Sequence, residues 1–217
     1  MVLWTRARRA VASLLPLLPG LLGLACQSVE RPQAAGAVAE WAEGPARWLI
    51  LPDEARQLHR IRTNQQAVAF MEAFWRRRDP DRDRPGNPFV QTFYQRVEAA
   101  DRLYGEDGVR GSLTDRGRAL ILLGPPPVLS YSQKPAAAWV PGRLGGRPLA
   151  EGRKVQLEIW TYNSPDLPPA LVALLDTGGR EPQIMLTFVV EPRRTFLIDG
   201  GRALDQAARA AVHDSER

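Results

Sequence analysis

The chain has 217 residues, 44% of them hydrophobic and 24% charged, which excludes a disordered protein and allows one ordinary domain with appendages. Its formal charge of +5 falls to +2 once Arg6, Arg8 and Arg9 are set aside as part of a removable leader, so no continuous basic face points to nucleic acid. With Cys26 as its single cysteine, the domain has no internal disulfide, and burial alone must hold it together.

Residues 1–25 follow the secretory pattern: a basic start, a leucine-rich apolar stretch from Ala10 to Ala25, and small residues at its end. Pro16, Pro19 and Gly20 interrupt that stretch, and its 16 residues fall short of the ~20 that span a bilayer, which favours a signal peptide over a transmembrane helix. Leu22-Gly23-Leu24-Ala25-Cys26 resembles the bacterial lipoprotein signal, in which the cysteine is diacylated on sulfur and becomes the lipidated N-terminus. That resemblance implies lipid attachment at Cys26 and anchorage in the cell envelope, at the outer membrane or the periplasmic face. Gly23 replaces the usual leucine, and Gly23-Leu24-Ala25 also suits an ordinary signal peptidase, whose product would be soluble in the periplasm.

From Gln27 to Ala46 the Ala, Gly, Pro and Glu content predicts a flexible tether, with Trp41 as the exception, packed either on the domain or on the membrane surface. Trp48 to Leu51 is a short apolar run, either a leading strand or the entry to a helix capped by Asp53, with Leu58 and Ile61 on its apolar edge. His59 on the opposite side has no second metal-ligating residue at suitable spacing and reads as solvated. Thr63-Asn64-Gln65-Gln66 is a capping box that starts a helix to Arg78, with Ala67, Phe70, Met71, Phe74 and Trp75 on one face. Arg76, Arg77 and Arg78 suit the negative end of the helix dipole; an anion clamp is the sharper alternative.

Residues 79–87 alternate charge and read as a solvated loop; Arg82 and Arg84 among the aspartates, a misplaced glycine and the lack of a closing glutamate argue against a calcium loop. Asn87-Pro88 starts a second helix with Phe89, Phe93, Val97, Ala100 and Tyr104 on one face, ended by Gly105. The two helices are expected to pair antiparallel over a sheet. In Gly111–Pro127, Thr114, Asp115 and Gly117 read as a turn, and Ala119–Leu123 as a strand buried on both faces before Gly124 and three prolines. Residues 133–154 read as a long loop. Val155–Tyr162 alternates as a strand, Ile184–Val190 and Arg194–Ile198 as a hairpin, and Arg202–Val212 as a helix with a frayed end at His213.

Phe74-Trp75-Arg76-Arg77-Arg78-Asp79-Pro80, Asn87, Phe93-Tyr94-Gln95-Arg96-Val97, Gly111-Ser112-Leu113-Thr114-Asp115-Arg116-Gly117-Arg118, Leu123-Gly124-Pro125-Pro126 and Glu158-Ile159-Trp160-Thr161-Tyr162 follow in order. This series, over about residues 48–198, resembles the GWxTD domain family of bacterial exported proteins. The resemblance implies an exported α+β domain and no established reaction. Ser112 stands where the motif has its tryptophan, and Pro88 and Pro127 stand where acidic residues are usual, so the chain reads as a divergent member. These losses count against any activity that used those side chains.

The expected architecture is therefore α+β: an N-terminal antiparallel helix pair on a small mixed or antiparallel sheet over residues 47–200, with residues 201–217 as a C-terminal helix and tail. Candidate motif or binding positions are Trp75, Arg78, Asp79, Thr114, Asp115, Arg116, Arg118, Glu158 and Trp160. Arg78, Asp79, Asp115, Arg116, Arg118 and Glu158 are expected to converge where the helices meet the sheet, as a salt-bridge network whose members pair to offset desolvation. No GxSxG elbow, cysteine nucleophile in the domain or phosphate loop is present, and neither a cofactor nor a metal is implied. The function expected is a non-catalytic binding or structural module, attached to the membrane by its lipid and partnered by an envelope protein. A hydrolase-like or carbohydrate-acting enzyme using Asp79, Asp115 or Glu158 is the alternative.

Overall fold

The structure, a computed structural model, describes residues 33–135 and 154–212. The leader, Cys26, residues 136–153 of the expected loop and His213 lie outside the described residues, while 133–135 and Lys154, at the two ends of that expected loop, are strand. Within them the protein is α+β, with a four-stranded antiparallel sheet in the order β1-β2-β3-β4. None of the described helices is long and apolar enough to cross a membrane.

The first described element is a helix, α1 (Gln33–Glu43), in the stretch whose composition suggested a tether. Val38 is buried, and Trp41, one helical turn on, stands edge-on to Phe74 at 4.8 Å between ring centroids. A 3₁₀ turn (Pro45–Trp48) leads to α2 (Pro52–Leu58), so the Trp48–Leu51 run is a helix entry and not a strand. The cap is not Asp53, which pairs with Arg56 at the surface. Pro52 occupies the first turn and moves the helix start back to Leu51, whose N–H donates to the Glu54 carboxylate at 2.9 Å.

The capping box forms as read at the start of α3 (Asn64–Arg76): the Gln66 N–H donates to the Thr63 hydroxyl and the Thr63 N–H to the Gln66 side chain, each at 3.2 Å. Asn87 caps α4 (Pro88–Leu103) by accepting from the Val90 N–H, while its amide donates to the Trp75 carbonyl at 2.9 Å, tying the two helices across their loop. Trp75 lies 5.3 Å from Phe93 and 6.1 Å from Tyr94, completing the seam. Only one helix of this pair reaches the sheet. α4 does so through Ala100 and through Tyr104, whose ring is 5.6 Å from Trp160, whereas the buried face of α3 packs on α1 and α4.

Asp115–Leu123 is a helix, α5, so Ala119–Leu123 is not the central strand that its apolar run suggested. Thr114 caps it by accepting from the Gly117 N–H at 3.1 Å, and Gly124 with positive φ ends it. Ala119, Leu120 and Leu123 join the sheet-side core and Ile121 joins the core formed with α1, α3 and α4. A helix buried on both sides carries apolar residues all round, so its second half reads as an unbroken run, as a buried strand does.

The sheet follows as a meander of β1 (Val128–Pro135), β2 (Lys154–Asn163), β3 (Gln183–Val190) and β4 (Thr195–Asp199). β1 was not foreseen. The alternation read for β2 is borne out: Trp160 and Tyr162 join Ile184, Leu186 and Phe188 beneath α5, while Val155, Leu157 and Ile159 pack with Val189 on the other face. A short helix, α6 (Pro169–Val172), and α7 (Gly201–Ala210) complete the sheet-side core through Leu171, Leu204 and Ala207.

The 3₁₀ turn Gly111–Leu113 rests directly on α4: a Cβ on Gly111 would overlap the Ala100 carbonyl, and one on Gly117 would overlap the Gly111 carbonyl. Asp101 then holds the turn, accepting from the Ser112 N–H at 2.8 Å and from Arg110 at 2.5 Å. Gly111→Ala is expected to cost about 1–3 kcal/mol or more in urea unfolding, because backbone must shift to admit the methyl group. Gly36→Ala, in α1 with nothing within 4 Å, is expected to gain up to about 1 kcal/mol; no change would mean that α1 does not contribute to the fold.

Candidate functional site

The charged residues picked from the sequence do not form one network: Arg78 pairs with Glu54, Arg116 pairs with Glu106 and Glu158, and Asp79 joins neither cluster. Arg78, fully buried beyond the end of α3, donates from Nη1 to Glu54 Oε1 at 2.9 Å and from Nη2 to Glu54 Oε2 at 2.8 Å, a two-pronged pair. Its Nη1 also reaches the Phe74 carbonyl at 3.0 Å and its Nη2 the Leu49 carbonyl at 2.7 Å, and its guanidinium lies 3.7 Å over the Phe74 ring. Arg77 and the Leu51 N–H bring two more donors to Glu54. Burial pushes the Glu54 carboxyl up, but Arg78, the Leu51 N–H and Arg77 outweigh it and hold the group below its ordinary 4.5. Desolvation lowers Arg78 itself from its ordinary value against the opposing pull of Glu54.

Arg78 is therefore a clamp on an internal anion, joining α3 to α2 and the preceding turn. Asp79 is not part of it and accepts from the Asp81 N–H at 3.1 Å, within its own loop. Sequence reasoning missed Glu54; its signal was a carboxylate in the first turn of a helix opened by Pro52.

The second network lies where α5 meets the sheet. Arg116 pairs with Glu106 at 2.6 Å and with Glu158 at 3.4 Å, and its guanidinium lies 5.0 Å from the Tyr104 ring. The other oxygen of Glu106 accepts from the Thr195 N–H at 2.8 Å, and the other oxygen of Glu158 from the Trp160 indole at 2.6 Å. Asp115 accepts from the Leu197 N–H at 2.8 Å, and Arg118 pairs with Asp205 of α7 at 2.6 Å beneath the Trp48 ring. Of the six charged residues expected to converge, Asp115, Arg116, Arg118 and Glu158 gather here and Arg78 and Asp79 do not; Thr114 caps α5, and Trp160 lies fully buried beside Glu158. Ser112 is also fully buried, and the turn it sits in receives an indole from elsewhere: Trp48 Nε1 donates to the Ser112 carbonyl at 2.8 Å. Among the described residues, no group of three or more His, Cys, Asp or Glu side chains is placed to hold a metal ion.

An open groove of about 560 Å³ lies apart from both networks, between α4, α5, α6 and α7. Phe89 and Phe93, Ile121 and Leu122, Leu171 and Ala207 give it apolar walls, and Arg96 supplies a guanidinium. Arg96 Nη1 donates to the Ile121 carbonyl at 3.0 Å and the Leu122 carbonyl at 3.5 Å, capping the end of α5. It makes no ion pair among the described residues, and burial lowers its pKa from the ordinary 12.5.

The order of motifs agrees with a direct comparison. Residues 42–146 match the GWxTD domain family. The match contains the Arg78 clamp, the capped turn and α5, and it ends before Glu158-Ile159-Trp160-Thr161-Tyr162, so it is shorter than the resemblance read from residues 48–198. The GWxTD match includes Arg96 and the whole of α4 and α5, but not α6 and α7, which close the groove. No curated protein and no solved structure matches the chain.

Glu54→Gln is expected to cost about 3–5 kcal/mol, since it strands the buried Arg78 charge. Because the folded Glu54 pKa is depressed, its stabilisation is complete above about pH 4.5 and is lost as pH falls through the folded value. Urea midpoints measured from pH 7 to pH 2 should fall more steeply for wild type than for the variant. Glu158→Gln and Asp115→Asn are expected to lower the melting temperature; unchanged or raised values would instead mark these carboxylates as functional groups held at a cost to stability.

Proposed function

We propose that the chain is a non-catalytic binding module of the bacterial cell envelope, carried at the membrane by a lipid on Cys26. The observation that supports a binding role is the contrast between the occupied carboxylates and the open groove. Both oxygens of Glu158 and of Glu106 accept from donors inside the fold, and Asp115 is engaged by the Leu197 N–H. A general acid or base needs a carboxyl group within reach of a substrate proton, and these face their own protein. The groove has the volume and the apolar lining with few polar groups typical of small-ligand sites.

Support for the envelope comes from the sequence: the leader pattern, Cys26 directly behind it and the exported character of the family resembled. Partners of the module would then be membrane lipid through the anchor and an envelope component through the domain.

Fractionation of cells producing the wild type and Cys26→Ala, with mass analysis of the mature N-terminus, tests the anchor. Wild type is expected in the membrane fraction with an acylated residue 26, and the variant in the soluble or precursor fraction. A mature wild-type chain that keeps Met1 and stays in the cytosol would refute the proposal.

A further inference from the structure

Arg96 is only partly accounted for by its structural role. Capping α5 occupies Nη1, while among the described residues Nε and Nη2 have no hydrogen-bond partner and no carboxylate forms an ion pair with the group. A guanidinium in an apolar setting is costly unless an anion meets it. The donors left over, Nε and Nη2, are the pair that a carboxylate bridges with two parallel hydrogen bonds. One unpaired cation also matches a single negative charge better than the nearly two charges of a phosphomonoester.

The walls select the rest of the ligand. Pro80, Pro88, Pro168 and Pro169 line the groove and carry no N–H, so they offer a peptide backbone no donors. Phenylalanine, leucine and alanine side chains fill most of the remaining lining and suit hydrocarbon.

We infer that the groove between α4, α5, α6 and α7 binds a single-chain amphiphile with a carboxylate head, a fatty acid, its head on Arg96 and its chain along the apolar wall. The inference rests on the binding-module reading, and the two fail separately: fractionation tests the anchor, and ligand titration tests the groove. Ala170 lies exposed at the groove, so a larger side chain there narrows it without disturbing the core.

Isothermal titration of the purified full chain with dodecanoate and with dodecan-1-ol, both below micelle formation, tests the inference. Dodecanoate is expected to bind one to one and about tenfold or more tighter than the alcohol, the difference a charge-assisted pair supplies. Arg96→Met should abolish that preference, and Arg96→Lys should restore part of it. Ala170→Trp should weaken both ligands while leaving the melting temperature unchanged, and it decides the matter if Arg96→Met fails to fold. Equal affinity for acid and alcohol, no binding of dodecanoate, or an Ala170→Trp variant that binds dodecanoate as wild type does would each overturn the inference.

Discussion

Burial of one short helix on two sides at once is the constraint on which the rest of the structure depends. α5 places Ala119, Leu120 and Leu123 against Trp160 and the sheet, and Ile121 against the core of α1, α3 and α4. Such a helix needs its entry held closely, and the turn before it achieves this by removing side chains: Gly111 lets the chain lie on the α4 backbone, and Gly117 lets the helix lie on Gly111. Thr114 then serves both elements, donating to the Gly111 carbonyl at 2.8 Å and accepting the Gly117 N–H.

The charged residues act as braces around that helix. Arg116 ties α5 to β2 through Glu158, Asp115 ties it to β4, and Arg118 ties it to α7. Arg78 does the equivalent on the other side, fastening α3 to α2 through Glu54. The buried pairs offset the cost of leaving water only because several donors converge on each carboxylate, so the loss of one partner costs more than the pair itself contributes. Exposed pairs such as Arg84 with Asp81 lack that leverage, because solvent and salt screen them.

The same arrangement leaves a gap. Where α5 ends, α4, α6 and α7 diverge around its last turn, and the carbonyls of Ile121 and Leu122 turn to Arg96 instead of to another helical residue. A cation recruited to finish a helix thus stands in an apolar groove, and an element needed for folding is also the one on which the proposed ligand recognition rests.

Local signals in the sequence were enough for α3, α4, β2, the β3–β4 hairpin and α7, because their capping residues and apolar periods are set by neighbours within a few positions. The order of motifs was enough to reveal the family resemblance. The identity of α5 was hidden because a helix buried on both sides and a buried strand present the same run of side chains, although Thr114 and Gly124 already bore the marks of a helix's two ends. Val38 was not recognised as core, and Trp41 was left between the domain and the membrane surface, because a lone aromatic in an alanine-rich stretch acquires meaning only when Phe74 stands opposite it. Which carboxylate meets which arginine was equally illegible: Glu54 lies 24 residues from Arg78, and Glu158 lies 42 from Arg116. Periodicity and caps act along the chain and can be read along it. Ion pairs, grooves and the two-sided burial of α5 depend on segments that only folding brings together.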